Sequence, residues 1–320
     1  MKLHSGMTAR SLAQLLGEAI NKEQKNWKPT EYKPTDMITS EHRDKGVIWL
    51  LNLFNKYRFS PETFGAAVGI LDKFIGLVKV PPKYLRCVTI TCLYLAAKTL
   101  EEDDIVPSTQ IFARISGCGC SLSEILRMEL VILKKLCWSL PTTSSIDALH
   151  IIYTVLLQHH PHLLDGLKDM TPSRHMSIIT RKLLTCLGQH RLLMFPPITV
   201  VVSMLSLELE QMTSAWFPII ALLQRMTNID NHKLIHCREV IASYLSSVKM
   251  SVTPYQKIVP LKSKKRKVEQ IDDDDDIYDS IKRLYNEDHI MEIPTIHGSC
   301  SSELHQNTEE TFSVHTVCAN

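Results

Sequence analysis

The chain has 320 residues, 44% hydrophobic and 22% charged, with a formal net charge of +2. That is enough for two domains with tails in an ordinary soluble globular protein, and the near-neutral charge gives no reason to expect a nucleic-acid or membrane surface. Nine cysteines without framework spacing fit free thiols in a reducing compartment, Met1–Met7 is too polar for a signal peptide, and no stretch is apolar for long enough to span a membrane.

Leu12, Leu15, Leu16, Ala19 and Ile20 recur at helical spacing and predict an amphipathic helix over 11–27. Pro29 and Pro34 then make an extended connector. Five helices follow between Thr39 and Leu140. The first covers about 41–57. The second starts after Ser60-Pro61, with proline at its first turn, and ends near Gly76. The third, after Pro81-Pro82, runs from Tyr84 through Lys98; it is apolar or small on nearly every side and reads as a buried central helix. The fourth is short, about 108–116, and stops at Gly117. The fifth begins at the capping-box pair Ser121 and Glu124 and is read through Leu140; its apolar stripe of Ile125, Ile132 and Leu136 is interrupted by Glu129. A carboxylate on an apolar stripe requires a partner.

Pro141–Ser145 is a linker by composition, and a second helical set succeeds it. Its members are Ile146–Gln158, a helix opened by Thr171-Pro172 and reaching about Gly188, the apolar Ile198–Met212, Trp216–Met226 and His232–Val248. No period-2 pattern of useful length predicts a strand. Beyond Pro254 the character changes to a basic run over 262–267, an acidic run over 272–276, a short amphipathic segment 277–285 and a polar end that reads as disordered.

No active site is recognisable. Gly117-Cys-Gly119 begins like a dinucleotide loop, but Leu122 holds the third glycine position and no strand precedes it. It reads as a helix stop and restart. Cys118 and Cys120 are too close for the usual zinc spacing, and His159, His160 and His162 have no companion ligands nearby in sequence. No enzyme activity, metal or cofactor is expected.

Leu95-Ala-Ala-Lys98 with its acidic follow-on, and Met128-Glu129 ahead of Leu133 and Trp138-Ser-Leu140, resemble the third and fifth helices of a cyclin box. Arg43 ahead of Trp49-Leu50, and Leu71-Asp72-Lys-Phe74, resemble its first and second. Of the family's Arg, Asp, Leu, Lys, Glu signature, Arg43, Asp72, Lys98 and Glu129 match, and Cys87 stands at the Leu position. The chain resembles atypical cyclins of the G and I type, and the stretches 118–129, 265–268 and 281–288 resemble the I type in particular. The resemblance implies an all-α fold of two tandem five-helix cyclin-box domains, 41–141 and 142–250. An N-terminal helix and connector (1–40) would lie against the outside of the first box, and a disordered regulatory tail (251–320) would follow.

It implies site roles as well. Arg43 and Asp72 would form a buried structural ion pair. Lys98 and Glu129 have a plain reading, a helix-end cation and a carboxylate paired with the nearest base. In cyclins the same two residues line the surface that receives a helix of a cyclin-dependent kinase, with Leu95, Leu133, Trp138 and Leu140 as the apolar part. The expected function is a kinase-binding regulatory subunit acting in the cell cycle or related signalling. The alternative is a non-activating nuclear scaffold or adaptor serving transcription, a phosphatase or a ubiquitin ligase. Lys264, Lys265, Arg266 and Lys267 read as a nuclear import signal, implying an import receptor as partner and a nuclear location with the cytoplasm as second compartment; nucleic acid and membrane are not expected. Where many cyclins have Met, Leu and Trp for docking Arg-x-Leu peptides, this chain has His42, Gly46 and Trp49, so that docking is expected to be lost.

Overall fold

Six helices among the described residues start behind a short polar residue, Thr8, Thr39, Ser60, Ser121, Thr171 or Asp230, whose side chain accepts one of the first free N–H groups. The structure, a computed structural model, describes residues 8–28, 38–140, 145–248 and 255. Among them are eleven α-helices and no strand: α1 (Ala9–Asn26), α2 (Ser40–Tyr57), α3 (Pro61–Leu77), α4 (Leu85–Leu100), α5 (Thr109–Ser116), α6 (Leu122–Lys135), α7 (Ser145–His159), α8 (Pro172–Cys186), α9 (Pro197–Met212), α10 (Trp216–Thr227) and α11 (Asn231–Ser247). Ser60 and Thr171 cap α3 and α8 through their hydroxyls, each followed by proline at the first helical position. At α6, the Ser121 N–H donates to Glu124 Oε2 at 2.7 Å and the Glu124 N–H to Ser121 Oγ at 3.3 Å, a reciprocal capping box. A second box, not foreseen from the sequence, opens α2: Thr39 and His42 cap each other, with the His42 ring in the role usually taken by Glu.

The helices form two sets of five, α2–α6 and α7–α11. Each set surrounds its third member. α4 is buried from Cys87 to Ala97 and packs on α2, α3 and α6; α9 is buried along most of its length and packs on α7, α10 and α11. At about 1.5–3 kcal/mol for each fully buried large apolar side chain, these two helices dominate the core. The sets also touch: α3 packs on α7 and α8, and α2 on α8.

Two expectations need correction. α1 packs chiefly on α7 and α9 of the second set, not on the outside of the first. Its buried stripe of Leu12, Leu16 and Ala19 would suit either surface, and on the second set it is joined by a hydrogen bond. α9 opens with Pro196-Pro197 and has no side-chain cap of its own, and Glu23 Oε2 accepts the Ile198 N–H at 2.7 Å. Second, α6 stops at Lys135 and does not run to Leu140. Cys137 and Trp138 take left-handed φ of 50° and 58°, and the Trp138 N–H bonds Leu133 O at 2.9 Å. This is a Schellman ending, usually signalled by glycine and here formed without one. The expectations for the connector 29–34, for linker residues 141–144, and for the basic run, acidic run, short helix and disorder of the tail lie outside the described residues.

Candidate partner-binding site

The chemistry-bearing residues singled out in the sequence fall into two pairs, one joining α2 to α3 and one joining α4 to α6. The first pair is inward. α2 contributes Arg43 and α3 contributes Asp72, with Nε and Nη2 reaching the two carboxylate oxygens at 2.8 Å each. The remaining nitrogen, Nη1, donates to Leu187 O at 2.7 Å and to Asp44 Oδ1 at 3.1 Å. Arg43 is fully buried, so it joins α2, α3 and the end of α8 in one knot. Asp44 extends the knot to His190 Nδ1 at 2.7 Å. The rigid fork of guanidinium donors, with these four bonds, suits such a junction.

The second pair faces outward. Lys98, near the end of α4, places Nζ 2.6 Å from Glu129 Oε1 on α6, and 5.1 Å from the centre of the Tyr94 ring. The Lys98 side chain is 45% exposed and that of Glu129 12%. Glu129 therefore has the partner its place on an apolar stripe demands, and Lys98 keeps donor capacity toward solvent. The next acidic residue, Glu101, is structural: its Oε1 accepts from the Ser60 N–H and the Thr63 hydroxyl, securing the start of α3.

Around this pair the expected apolar residues separate. Leu95 is buried beneath the surface, Leu133 and Leu140 are half-buried against the core, and Trp138, beyond the helix end, is 67% exposed. The Ser139 carbonyl beside Trp138 is held by Lys73 Nζ at 2.9 Å. Further exposed apolar residues were missed in the sequence: Leu122, Leu126 and Leu130 on α6, and Ile111 and Ile115 on α5, which packs against α6. Leu122 and Leu126 precede Glu129 by seven and three residues and so share its face. The signal was present, since α6 carries leucines at more positions than one buried stripe needs. The buried stripe of Ile125, Ile132 and Leu136 is the one expected, and only the leucines beside it were not read as a surface.

The displaced docking residues lie on α2. The His42 ring is engaged at the helix cap, and Trp49 is half-buried with the Arg86 guanidinium 5.8 Å from its ring centre. Among the described residues no group of three or more His, Cys, Asp or Glu could hold a metal. The import residues Lys264, Lys265, Arg266 and Lys267 lie outside the described residues.

The family described as "Cyclin, N-terminal domain" matches residues 16–141. Human Cyclin-I2 is 34% identical over 249 residues, covering 78% of this chain and 67% of that protein. Pig (Sus scrofa) Cyclin-G1 is 31% identical over 225 residues, covering 69% of this chain and 74% of that protein. The solved viral cyclin of herpesvirus saimiri superposes with a TM-score of 0.61 at 15% identity, over 72% of this chain and 96% of that one, a likeness of fold. The chain belongs to the cyclins, among those of the G and I type.

Proposed function

We propose that the chain is a regulatory subunit without catalytic activity that binds a cyclin-dependent kinase through the α4–α6 side of its first domain. The observation that carries this reading is the Lys98–Glu129 pair: a half-exposed ammonium held in place by a mostly buried carboxylate, on a surface with Leu122, Leu126, Leu130 and Trp138 exposed. Exposed leucines and a tryptophan around an oriented cation suit an amphipathic helix that presents main-chain carbonyls or a carboxylate to Lys98. By binding one placement of a kinase helix better than another, such a surface shifts the kinase's conformational equilibrium, by no more than that difference in affinity. The test is capture of kinases from lysate with wild type and with Lys98→Ala/Glu129→Ala, followed by a kinase assay on the captured material. Wild type is expected to retain a cyclin-dependent kinase and the double variant to lose it. Equal retention by a well-folded double variant would overturn the assignment.

Nuclear location through Lys264, Lys265, Arg266 and Lys267 is part of the same proposal and rests on composition alone. Replacing all four with alanine should leave a tagged protein mostly cytoplasmic; a distribution equal to wild type in the same cells would sink it.

A further inference from the structure

The second domain repeats the outward pair of the first with the charges exchanged. α4 and α9 are the third helices of their sets and each has sixteen residues; α6 and α11 are the fifth. Lys98 is the fourteenth residue of α4 and Glu210 the fourteenth of α9. Glu129 is the eighth residue of α6 and Arg238 the eighth of α11. Arg238 Nη2 donates to Glu210 Oε2, as Lys98 does to Glu129 across the equivalent helices. Exposure matches position by position. On the third helix Lys98 is 45% exposed and Glu210 48%; on the fifth, Glu129 is 12% and Arg238 22%. Each cation also lies over an aromatic ring, Lys98 over Tyr94 at 5.1 Å and Arg238 over Trp216 at 4.9 Å.

The exchange reverses what the surface offers. Arg238 is committed inward, to Glu210, to Ser206 Oγ at 2.9 Å and to the Trp216 face. The half-open group is now the Glu210 carboxylate, and the ninth position of the fifth helix, Leu130 in α6, is the exposed Glu239 in α11. Beside these acids stand two exposed apolar side chains. Ile235 occupies the fifth position of α11, where α6 has Leu126, and Phe217 packs edge-on against Trp216 and is 66% exposed. Acidic groups flanking an exposed aromatic and an aliphatic residue complement an amphipathic helix with arginine or lysine next to its apolar stripe.

We propose that the second domain has its own docking surface, built on Glu210, Arg238, Phe217 and Ile235, for a basic amphipathic helix of a partner protein. It would operate alongside the α4–α6 surface and does not depend on the kinase reading.

The experiment titrates two labelled, stapled, alanine-based helical peptides of about four turns against the full-length protein. They share one leucine stripe and differ only in carrying arginine or glutamate beside it. Wild type is expected to bind the arginine peptide about tenfold or more tightly than the glutamate peptide, a difference of about 1.4 kcal/mol or more. Shifts in NMR spectra should centre on Phe217 and Ile235, and Phe217→Ala should cost most of the affinity. The deciding variant is Glu210→Lys/Arg238→Glu, which keeps an internal pair but restores the charge order of the first domain; its fold is checked by circular dichroism. It should reverse the preference. The acidic run 272–276 attracts any basic peptide and is unchanged in this variant, so a persisting preference for arginine would overturn the proposal. Equal affinity for the two peptides, no binding, or shifts centred on Leu126 and Trp138 would do the same. Lys98→Ala/Glu129→Ala should leave the arginine preference intact, which separates failure here from failure of the kinase reading.

Discussion

The two sides of the first domain use similar residues to opposite ends. On the α2–α3 side, Arg43, Asp72, Asp44 and His42 are all engaged internally, in ion pairs, a cap and a bond to Leu187. On the α4–α6 side, Lys98 keeps nearly half its surface open and leucines remain exposed around it. An acid–base pair therefore does not indicate a role by itself. Burial decides: a pair closed off from water is a fastening, and one with an open donor can recognise something.

The largest effect should come from the closed side. Arg43→Ala or Asp72→Ala strands its partner in the interior, which typically costs about 3–5 kcal/mol. Urea or thermal unfolding should show it, with the second domain affected too because Arg43 also holds Leu187. A loss below about 1 kcal/mol would mean that the pair is not the fastening its burial implies.

On the open side the expected order of effects is reversed. Glu129→Ala, which leaves the half-exposed Lys98 free to turn to water, should change unfolding by about 1 kcal/mol or less, whereas Lys98→Ala, which strands the mostly buried Glu129 carboxylate, should cost about 1–3 kcal/mol. Each should nonetheless cost the proposed kinase complex about 1.5–3 kcal/mol, the worth of a hydrogen bond to a charged group. Calorimetric binding beside thermal melts separates the two; variants that lose stability in proportion to affinity would erase the contrast between the sides.

A third test concerns α1, fastened inward as α2 is. Burial raises the Glu23 carboxyl from 4.5 to about 7, against the opposing pull of the Ile198 N–H. With the folded value raised, the folded state binds the proton more tightly, so this group's contribution is fully present below about pH 4.5 and is lost as pH rises through about 7. Glu23→Gln keeps an acceptor for Ile198 and removes the titration. Its melting temperature should decline less than wild type's between those pH values. An unchanged pH slope would show that Glu23 titrates normally.

Much of the helical order was legible because the signals are local. Ser60-Pro61, Thr171-Pro172 and the Ser121/Glu124 box mark starts by hydrogen-bond chemistry that needs no tertiary context, and Gly117 marks a stop at φ 60°. The all-apolar character of α4 and α9 identified both centres. What was hidden depends on distant partners. The stripe of α1 says what it will bury but not against which domain, and the Glu23–Ile198 contact spans most of the chain. The end of α6 was obscured because Cys137 takes a conformation that glycine normally advertises. At the candidate site, Lys98, Glu129 and the inward stripe of Ile125, Ile132 and Leu136 could be named from sequence, but nothing local marked Leu122, Leu126 and Leu130 as an exposed surface. The Glu210–Arg238 pair escaped notice because exchanging the charges removes residue identity between the halves while preserving position.

The smallest effect tests whether the α2 side retains any docking function. Gly46 stands at the position that the resemblance to many cyclins gives to an apolar docking residue, and it is seated over α4. A methyl group there would meet Thr89 Oγ1 at 3.5 Å and Leu85 at 3.9 Å, ordinary contacts, so no steric reason requires glycine. Thr89 Oγ1 is buried without a hydrogen-bond partner among the described residues, so covering it further takes no bond away. Gly46→Ala should therefore gain up to about 1 kcal/mol from helix propensity, visible as a rise of about 2–4 °C in melting temperature. An Arg-x-Leu peptide titrated against wild type and Gly46→Ala should bind neither measurably, because Trp49 is covered by Arg86 and His42 is held at its cap. Micromolar binding to wild type that disappears with Trp49→Ala would show that the α2 side still receives peptides, and the division between a closed and an open side would fail.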